Sequence, residues 1–261
     1  MDKKQLIAKI MEKPELRELP LEDVKMAFSN FEKKQAGDEE KERLTRELLH
    51  KVFGAFGSRK LLVSSLRERE PEWILRKHFS TRERLPYYAE VYGRILKGIG
   101  EKASILDLGA GVNGFSYKYF KEIGFDVEYT GIEAVGQFVE LMNLYFKKKK
   151  MKAKALHLSL FQLEEIKKII GKVKKPIVVF LFKTLDSLEM LERDYSKELL
   201  SAISPITDRI AISFATESMT KRKRFKAKRN WITNFIREKF RIIDDFEIAG
   251  ERYIVLEKNF G

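Results

Sequence analysis

The chain has 261 residues, no cysteine, three scattered histidines and a formal net charge of +13. These numbers exclude disulfides, thiolate metal sites and cysteine nucleophiles, argue against a metal centre, and allow one large α/β domain with a smaller appendage. Only +3 of the charge lies up to Ser80 and +10 lies beyond it, which points to a polyanion, most commonly nucleic acid, as partner of the later segment.

Residues 1–78 read as helices. The opening MDKKQLIAKIMEK is charged and amphipathic with no signal-peptide core, and its helix stops at Pro14. Leu21, Val24, Phe28 and Phe31 follow helical spacing, and Leu44, Leu48, Leu49, Val52 and Phe53 do so again after an acidic start. Ser58 to Glu70 supplies a further helix that ends before Pro71. The longest apolar runs, such as Pro176 to Phe182, are too short to span a bilayer. A cytoplasmic monomer with no membrane partner is therefore expected. The 35% of charged residues, rich in Lys, Glu and Arg, suits a heat-adapted source.

From Ala103 onward strands and helices alternate. The strands are SILDLG, DVEYTGIEA, AKALHL, PIVVFLF, RIAISFA and a closing pair within FRIIDDFEIAGERYIVLEK. Between them lie helices at GFSYKYFKEIG, GQFVELMNLYFKKKK, FQLEEIKKIIGK, SLEMLERDYSKELLSAI and NWITNFIREKF. Five alternations predict an α/β fold, a parallel sheet covered by helices on both faces, and the glycine-turned last pair predicts an antiparallel hairpin at one edge. This order resembles the class I S-adenosylmethionine-dependent methyltransferases. The expected division is a helical, RNA-binding 1–78 and a methyltransferase domain over 79–261.

After the first strand, Gly109, Gly111 and Gly114 satisfy the spacing of a dinucleotide-binding turn. Asp107, two residues earlier, would repel a pyrophosphate and instead suits a cationic ligand portion or a bridging water. ILDLGAG resembles the first motif of the methyltransferases, where the turn passes under the methionine portion of the cofactor. That resemblance makes Asp107, Gly109, Ala110 and Gly111 cofactor-binding candidates. Glu133, at the end of the next strand, can accept both ribose hydroxyls, with Ala134 beside it. Dehydrogenases share that carboxylate, so a nicotinamide-dependent oxidoreductase stays open as an alternative. After the third strand only His157 and Ser159 are polar candidates for an adenine contact, with Leu158 or Leu160 flanking the ring.

Without cysteine, carbon-5 pyrimidine methylation is excluded. FLFKTLDSLE, after the fourth strand, lacks the Asp/Asn-Pro-Pro-aromatic stretch of many exocyclic-amine enzymes and matches the ribose 2′-O set poorly. A guanine N7 needs only alignment with the methyl group and exclusion of water. HFSTRERLPYYAEVY (His78 to Tyr92), ILDLGAGVNGFS, FLFKTLDSLEMLE (Phe180 to Glu192) and ISFATESM with the basic run after it resemble one family. It is the aminoglycoside-resistance type of 16S rRNA methyltransferase, with archaeal relatives. The resemblance implies S-adenosyl-L-methionine as cofactor and 16S rRNA or the small ribosomal subunit as substrate, near the decoding site, at guanine N7 or cytosine N4. It also implies that Arg84 clamps the cofactor carboxylate, a task that suits a planar guanidinium. Asn113 and Phe182 join the cofactor contacts, and Lys183 and Asp186 stand as catalytic candidates after the fourth strand, Asp186 as acceptor of amine protons. Gly114 stands where the resistance enzymes have Pro, a departure expected to loosen the turn, and Leu185-Asp186 replaces their Leu-Pro.

The run from Lys221 to Arg229 holds Lys221, Arg222, Lys223, Arg224, Lys226, Lys228 and Arg229 around Phe225, with Trp231 just beyond. Following the fifth strand, its cations would neutralise phosphates while Phe225 or Trp231 stacks a displaced base. Lys147 to Lys150 form a second basic group at a helix C-terminus, where cations also complement the dipole. A non-catalytic rRNA-binding assembly protein is the remaining alternative.

Overall fold

The computed structural model describes residues 2–54, 69–216 and 229–259. Most of the helix expected from Ser58, and residues 221–228 of the basic run with Phe225 among them, fall outside that set.

Helices α1 (Lys3–Met11), α2 (Leu21–Glu32) and α3 (Asp38–Leu49) open the chain. A capping box starts α1: the Asp2 carboxylate accepts the Gln5 N–H at 2.8 Å, and the Gln5 side chain accepts the Asp2 N–H. The buried stripe of α2 is Asp23, Val24, Ala27 and Phe28, while Leu21 is 43% exposed. The helix is thus rotated from the face its apolar spacing predicts, and the rotation buries a carboxylate. Next come α4 (Pro71–Lys77), α5 (Phe79–Arg84) and α6 (Tyr88–Leu96).

The alternating part then runs β1 (Lys102–Leu108), α7 (Lys118–Glu122), β2 (Asp126–Glu133), α8 (Gly136–Lys148), β3 (Ala153–His157), α9 (Leu163–Ile170) and β4 (Ile177–Phe182). It continues with α10 (Leu185–Leu191), α11 (Tyr195–Ile203), β5 (Arg209–Ala215), α12 (Asn230–Lys239), β6 (Phe240–Ile248) and β7 (Glu251–Lys258). The sheet order is β3-β2-β1-β4-β5-β7-β6. Strands β1 to β5 pair in parallel and β7 runs antiparallel to both β5 and β6, as the sequence predicts. The single helix expected over Ser187–Ile203 is instead two. Asp194 adopts φ 64°, and the Glu189 carboxylate accepts the Asp194 and Ser196 N–H groups at 2.8 and 2.9 Å, which starts α11 afresh.

Strand β4 shows why the apolar runs are continuous. Val178, Phe180 and Phe182 enter one hydrophobic cluster, and Ile177, Val179 and Leu181 enter another on the opposite face. The second cluster takes Ile166 of α9, Leu199 of α11 and Ile236 of α12. The first takes Tyr88 and Tyr92 of α6 together with Leu6, Val24, Phe28 and Leu49 of the opening helices. Those helices therefore pack onto one sheet face as part of its core. No helix among the described residues is long and apolar enough to cross a membrane.

Candidate cofactor and RNA site

A crevice with about 830 Å³ of free space, its open mouth included, lies at the carboxyl ends of the central strands, where open parallel sheets bind ligands. Arg84, Asp107, Gly109, Ala110, Gly111, Asn113, Glu133, Ala134, Leu160, Phe182 and Lys183 all line it. Most of the cofactor residues expected from sequence are thus brought together.

The glycine turn is tight because two neighbours crowd it. Gly109 and Gly111 take φ 76° and 54°, a region that favours glycine. A Cβ on Gly109 would stand 2.9 Å from the Thr184 side chain, whose hydroxyl donates to the Leu108 carbonyl at 3.0 Å. The N–H groups of Gly109 and Ala110 go to the Ile132 carbonyl (2.9 and 3.0 Å), that of Asn113 to the Ala110 carbonyl (2.8 Å), and that of Gly111 to Glu133 Oε2 (2.7 Å). Four of the turn's N–H groups, donors of the kind a dinucleotide turn can offer to a pyrophosphate, are thus taken by the protein itself. Gly114 does not loosen the turn as expected. It sits in a short 3-10 turn, and a Cβ there would stand 2.6 Å from Phe146 Cζ, so its bare Cα lets α8 close on the turn.

Beneath the turn lies a buried polar network. Asp107 Oδ2 accepts from Asn113 Nδ2 at 2.7 Å and from the Tyr129 hydroxyl at 2.8 Å. Burial pushes the Asp107 carboxyl above its ordinary range, against the pull of those two donors. Asn113 Oδ1 in turn accepts from Arg84 Nη1 at 3.1 Å and from the Tyr88 hydroxyl at 2.7 Å. Arg84 also donates to Tyr253, Ser80 and Glu251 at 2.9–3.1 Å, and its guanidinium stands 4.6 Å from the Phe182 ring centre. Four of its five donors are thereby committed within the protein, which leaves one N–H on Nη1 rather than a free fork.

Lys183 is buried in a left-handed conformation (φ 57°), its Nζ 2.5 Å from Glu83 Oε2 and 3.4 Å from Glu251 Oε2. Burial alone would raise the Glu251 carboxyl; Arg84, Lys183 and the Ser213 hydroxyl hold it below its ordinary range. Asp186 does not join the crevice lining. Its oxygens accept from Arg229 Nε and Nη2 at 2.7–3.0 Å, so a residue expected in catalysis and one expected on RNA are committed to each other. Trp231 is half-buried against the second hydrophobic cluster. Ser159 also stays off the lining, its hydroxyl donating to Asp23 Oδ1 at 3.0 Å.

Asp23 and His78 line the crevice without having been expected there. Burial pushes the Asp23 carboxyl up to about 7, with Ser159 pulling the other way and Glu133 adding to the rise. For His78, burial and then the charges of Arg84 and Lys183 push the imidazole down to about 3, so it packs neutral against Gly111. The signal for Asp23 was a carboxylate one position from Val24 and four from Ala27 on an apolar stripe; His78 opens the stretch HFSTRERLPYYAEVY, but its residue type alone gave it no role.

A family model described as "Ribosomal RNA methyltransferase (FmrO)" matches residues 31–255. A Proteus mirabilis 16S rRNA (guanine(1405)-N(7))-methyltransferase is 38% identical over 77 residues, a match spanning 27% of each chain. The protein of the same name from Frankia casuarinae is 25% identical over 214 residues, covering 72% of this chain and 69% of its own. Among solved structures, the 16S rRNA methyltransferase RmtF in complex with S-adenosyl-L-homocysteine superposes with a TM-score of 0.78 at 20% identity, covering 99% of this chain and 100% of that one. The 16S rRNA methylase RmtB gives 0.77 at 20% identity, covering 99% of each. These two likenesses show a shared class I methyltransferase fold. With a seven-stranded sheet of that class and a family match over most of its length, the chain belongs to the ribosomal RNA methyltransferase (FmrO) family.

Proposed function

We propose that this chain, an S-adenosylmethionine-dependent rRNA methyltransferase by family, methylates a base nitrogen of 16S rRNA near the decoding site, and that the atom is guanine N7. The observation that carries the cofactor reading is the turn over Asp107, four of whose N–H groups are taken by the Ile132 and Ala110 carbonyls and the Glu133 carboxylate. Those commitments, with the Asp107 carboxylate beneath, leave the turn ill suited to a diphosphate, which counts against a nicotinamide dinucleotide, yet it sits beside a carboxylate suited to ribose. When bound, the cofactor supplies a sulfonium methyl group open to in-line attack. This chain's residues would hold it: Glu133 at the ribose, Asp107 and the remaining Arg84 N–H toward the amino-acid portion, and Leu160 against the base. Phe182, Leu188 and Leu191 add apolar wall that excludes water from the crevice.

The choice of atom rests on Asp186. Cytosine N4 sheds a proton on methylation and calls for an acceptor, and Asp186 lies off the crevice lining, paired with Arg229. Guanine N7 has an in-plane lone pair and sheds none. The two relatives from Proteus and Frankia are both named for that atom. RNA would be gripped by the helices of 1–78 and the cations of 221–228, and a paired base would have to be flipped out. Transfer of labelled methyl from the cofactor to 16S rRNA, free or in small subunits, tests the reading. Mass mapping is expected to find one new N7-methylguanine; an unchanged map overturns it.

A further inference from the structure

The crevice contains an acceptor that its lining does not use. Asp23 is 2% exposed; its Oδ1 takes the Ser159 hydroxyl at 3.0 Å, and its Oδ2 has no hydrogen-bond partner among the described residues. A buried carboxylate oxygen left bare is costly, and this one belongs to a residue lining the crevice. It comes from α2, not from the sheet.

Its place along the crevice identifies the ligand group it would meet. The order β1, β2, β3 carries Asp107, Glu133 and then Ser159 just past β3, stepping outward by about 5 Å per strand. With a ribose on Glu133 and the amino-acid tail turned back toward Asp107, the base lies one strand farther out. There Leu160 offers an apolar wall and Asp23, held from behind by Ser159, the polar group. Ser159 cannot itself serve as a charged acceptor, and its hydroxyl proton is directed at Asp23.

We infer that Asp23 Oδ2 accepts the exocyclic amine of the cofactor's adenine, so that helix α2 supplies the base contact missing from the end of β3. The inference rests on the cofactor reading above. It makes the opening helices part of the cofactor site, fastened to the sheet through the ligand as well as through the shared core.

Calorimetry at pH 8.5, where the Asp23 carboxyl is ionised, with S-adenosylhomocysteine and with its analogue carrying hydrogen in place of the purine amine tests the contact. The wild-type protein is expected to favour the amine-bearing ligand by about ten- to a hundredfold, the range of one hydrogen bond to a charged group. Asp23→Ala erases that preference by weakening only the amine-bearing ligand, and Asp23→Asn, a neutral acceptor, leaves an intermediate one. Equal affinity of the wild type for both ligands overturns the inference, and needs no variant to fold. An equal loss for both ligands in Asp23→Ala also overturns it, because that is the signature of damaged packing. Failure of the wild type to bind either ligand overturns the cofactor reading itself, and this inference with it.

Discussion

Arg84 and Glu251 form an ion pair 2.9 Å long, their side chains 1% and 2% exposed, between α5 and the first residue of β7. Removing one member strands the other charge in the core, at a cost of about 3–5 kcal/mol. Glu251→Gln is therefore expected to lower unfolding stability by that amount in urea titrations at neutral pH. Arg84→Lys keeps the charge but cannot reach Asn113, Ser80, Tyr253 and Glu251 together, and should weaken cofactor binding as well as stability. A Glu251→Gln protein as stable as the wild type would remove the pair from the account.

Asp23 and Glu251 give stability opposite slopes with pH. The Glu251 carboxyl is held below its ordinary 4.5, so its contribution is present above that value and is lost as pH falls through the folded value. The Asp23 carboxyl is raised from 3.8 to about 7, so its contribution is fully present below 3.8 and is lost as pH climbs toward 7. In the cofactor-free protein, Asp23→Asn should make the melting temperature rise more, or fall less, between pH 4 and 7, and should stabilise the protein at pH 8. Melting curves across that range decide it; parallel profiles would deny the burial of a charged carboxylate.

Gly114→Ala should destabilise the protein by about 1–3 kcal/mol, since its Cβ would meet Phe146 Cζ at 2.6 Å. Phe146→Leu removes the ring and should restore part of the loss when combined with Gly114→Ala. Chemical denaturation of the two single variants and the double variant measures the coupling; simple additivity would mean that the ring is not the obstacle.

Replacing Lys221, Arg222 and Arg224 by Gln should reduce the salt dependence of RNA binding by about 0.7–0.9 for each phosphate that is no longer neutralised, with affinity for S-adenosylhomocysteine unchanged. The same exchange at Lys147 and Lys148, exposed in the last turn of α8, asks whether that group also touches RNA. Filter binding over a salt series is the measurement, and an unaltered slope would clear the residues of a phosphate role.

Periodicity made the sheet legible: β4 reads as an unbroken apolar run because both its faces are covered, and the Gly250 turn announced the edge hairpin. Asp107, the two positive-φ glycines and Glu133 were legible because strand ends and turns confine the residue types they accept. What the sequence hid was pairing across distance. Nothing in the hairpin sequence ties Glu251 to Arg84 and Lys183, which β7 brings it onto, and Asp186 reads as an available acceptor until Arg229 reaches it. The break at Asp194 was hidden as well, since Glu189 caps α11 from within what looks like one amphipathic stretch.

Arg84 lies 167 residues ahead of the glutamate that neutralises it. During synthesis, a nascent chain grown only as far as β5 lacks the carboxylate that directly pairs with this guanidinium, so the salt bridge closes only once β7 has docked.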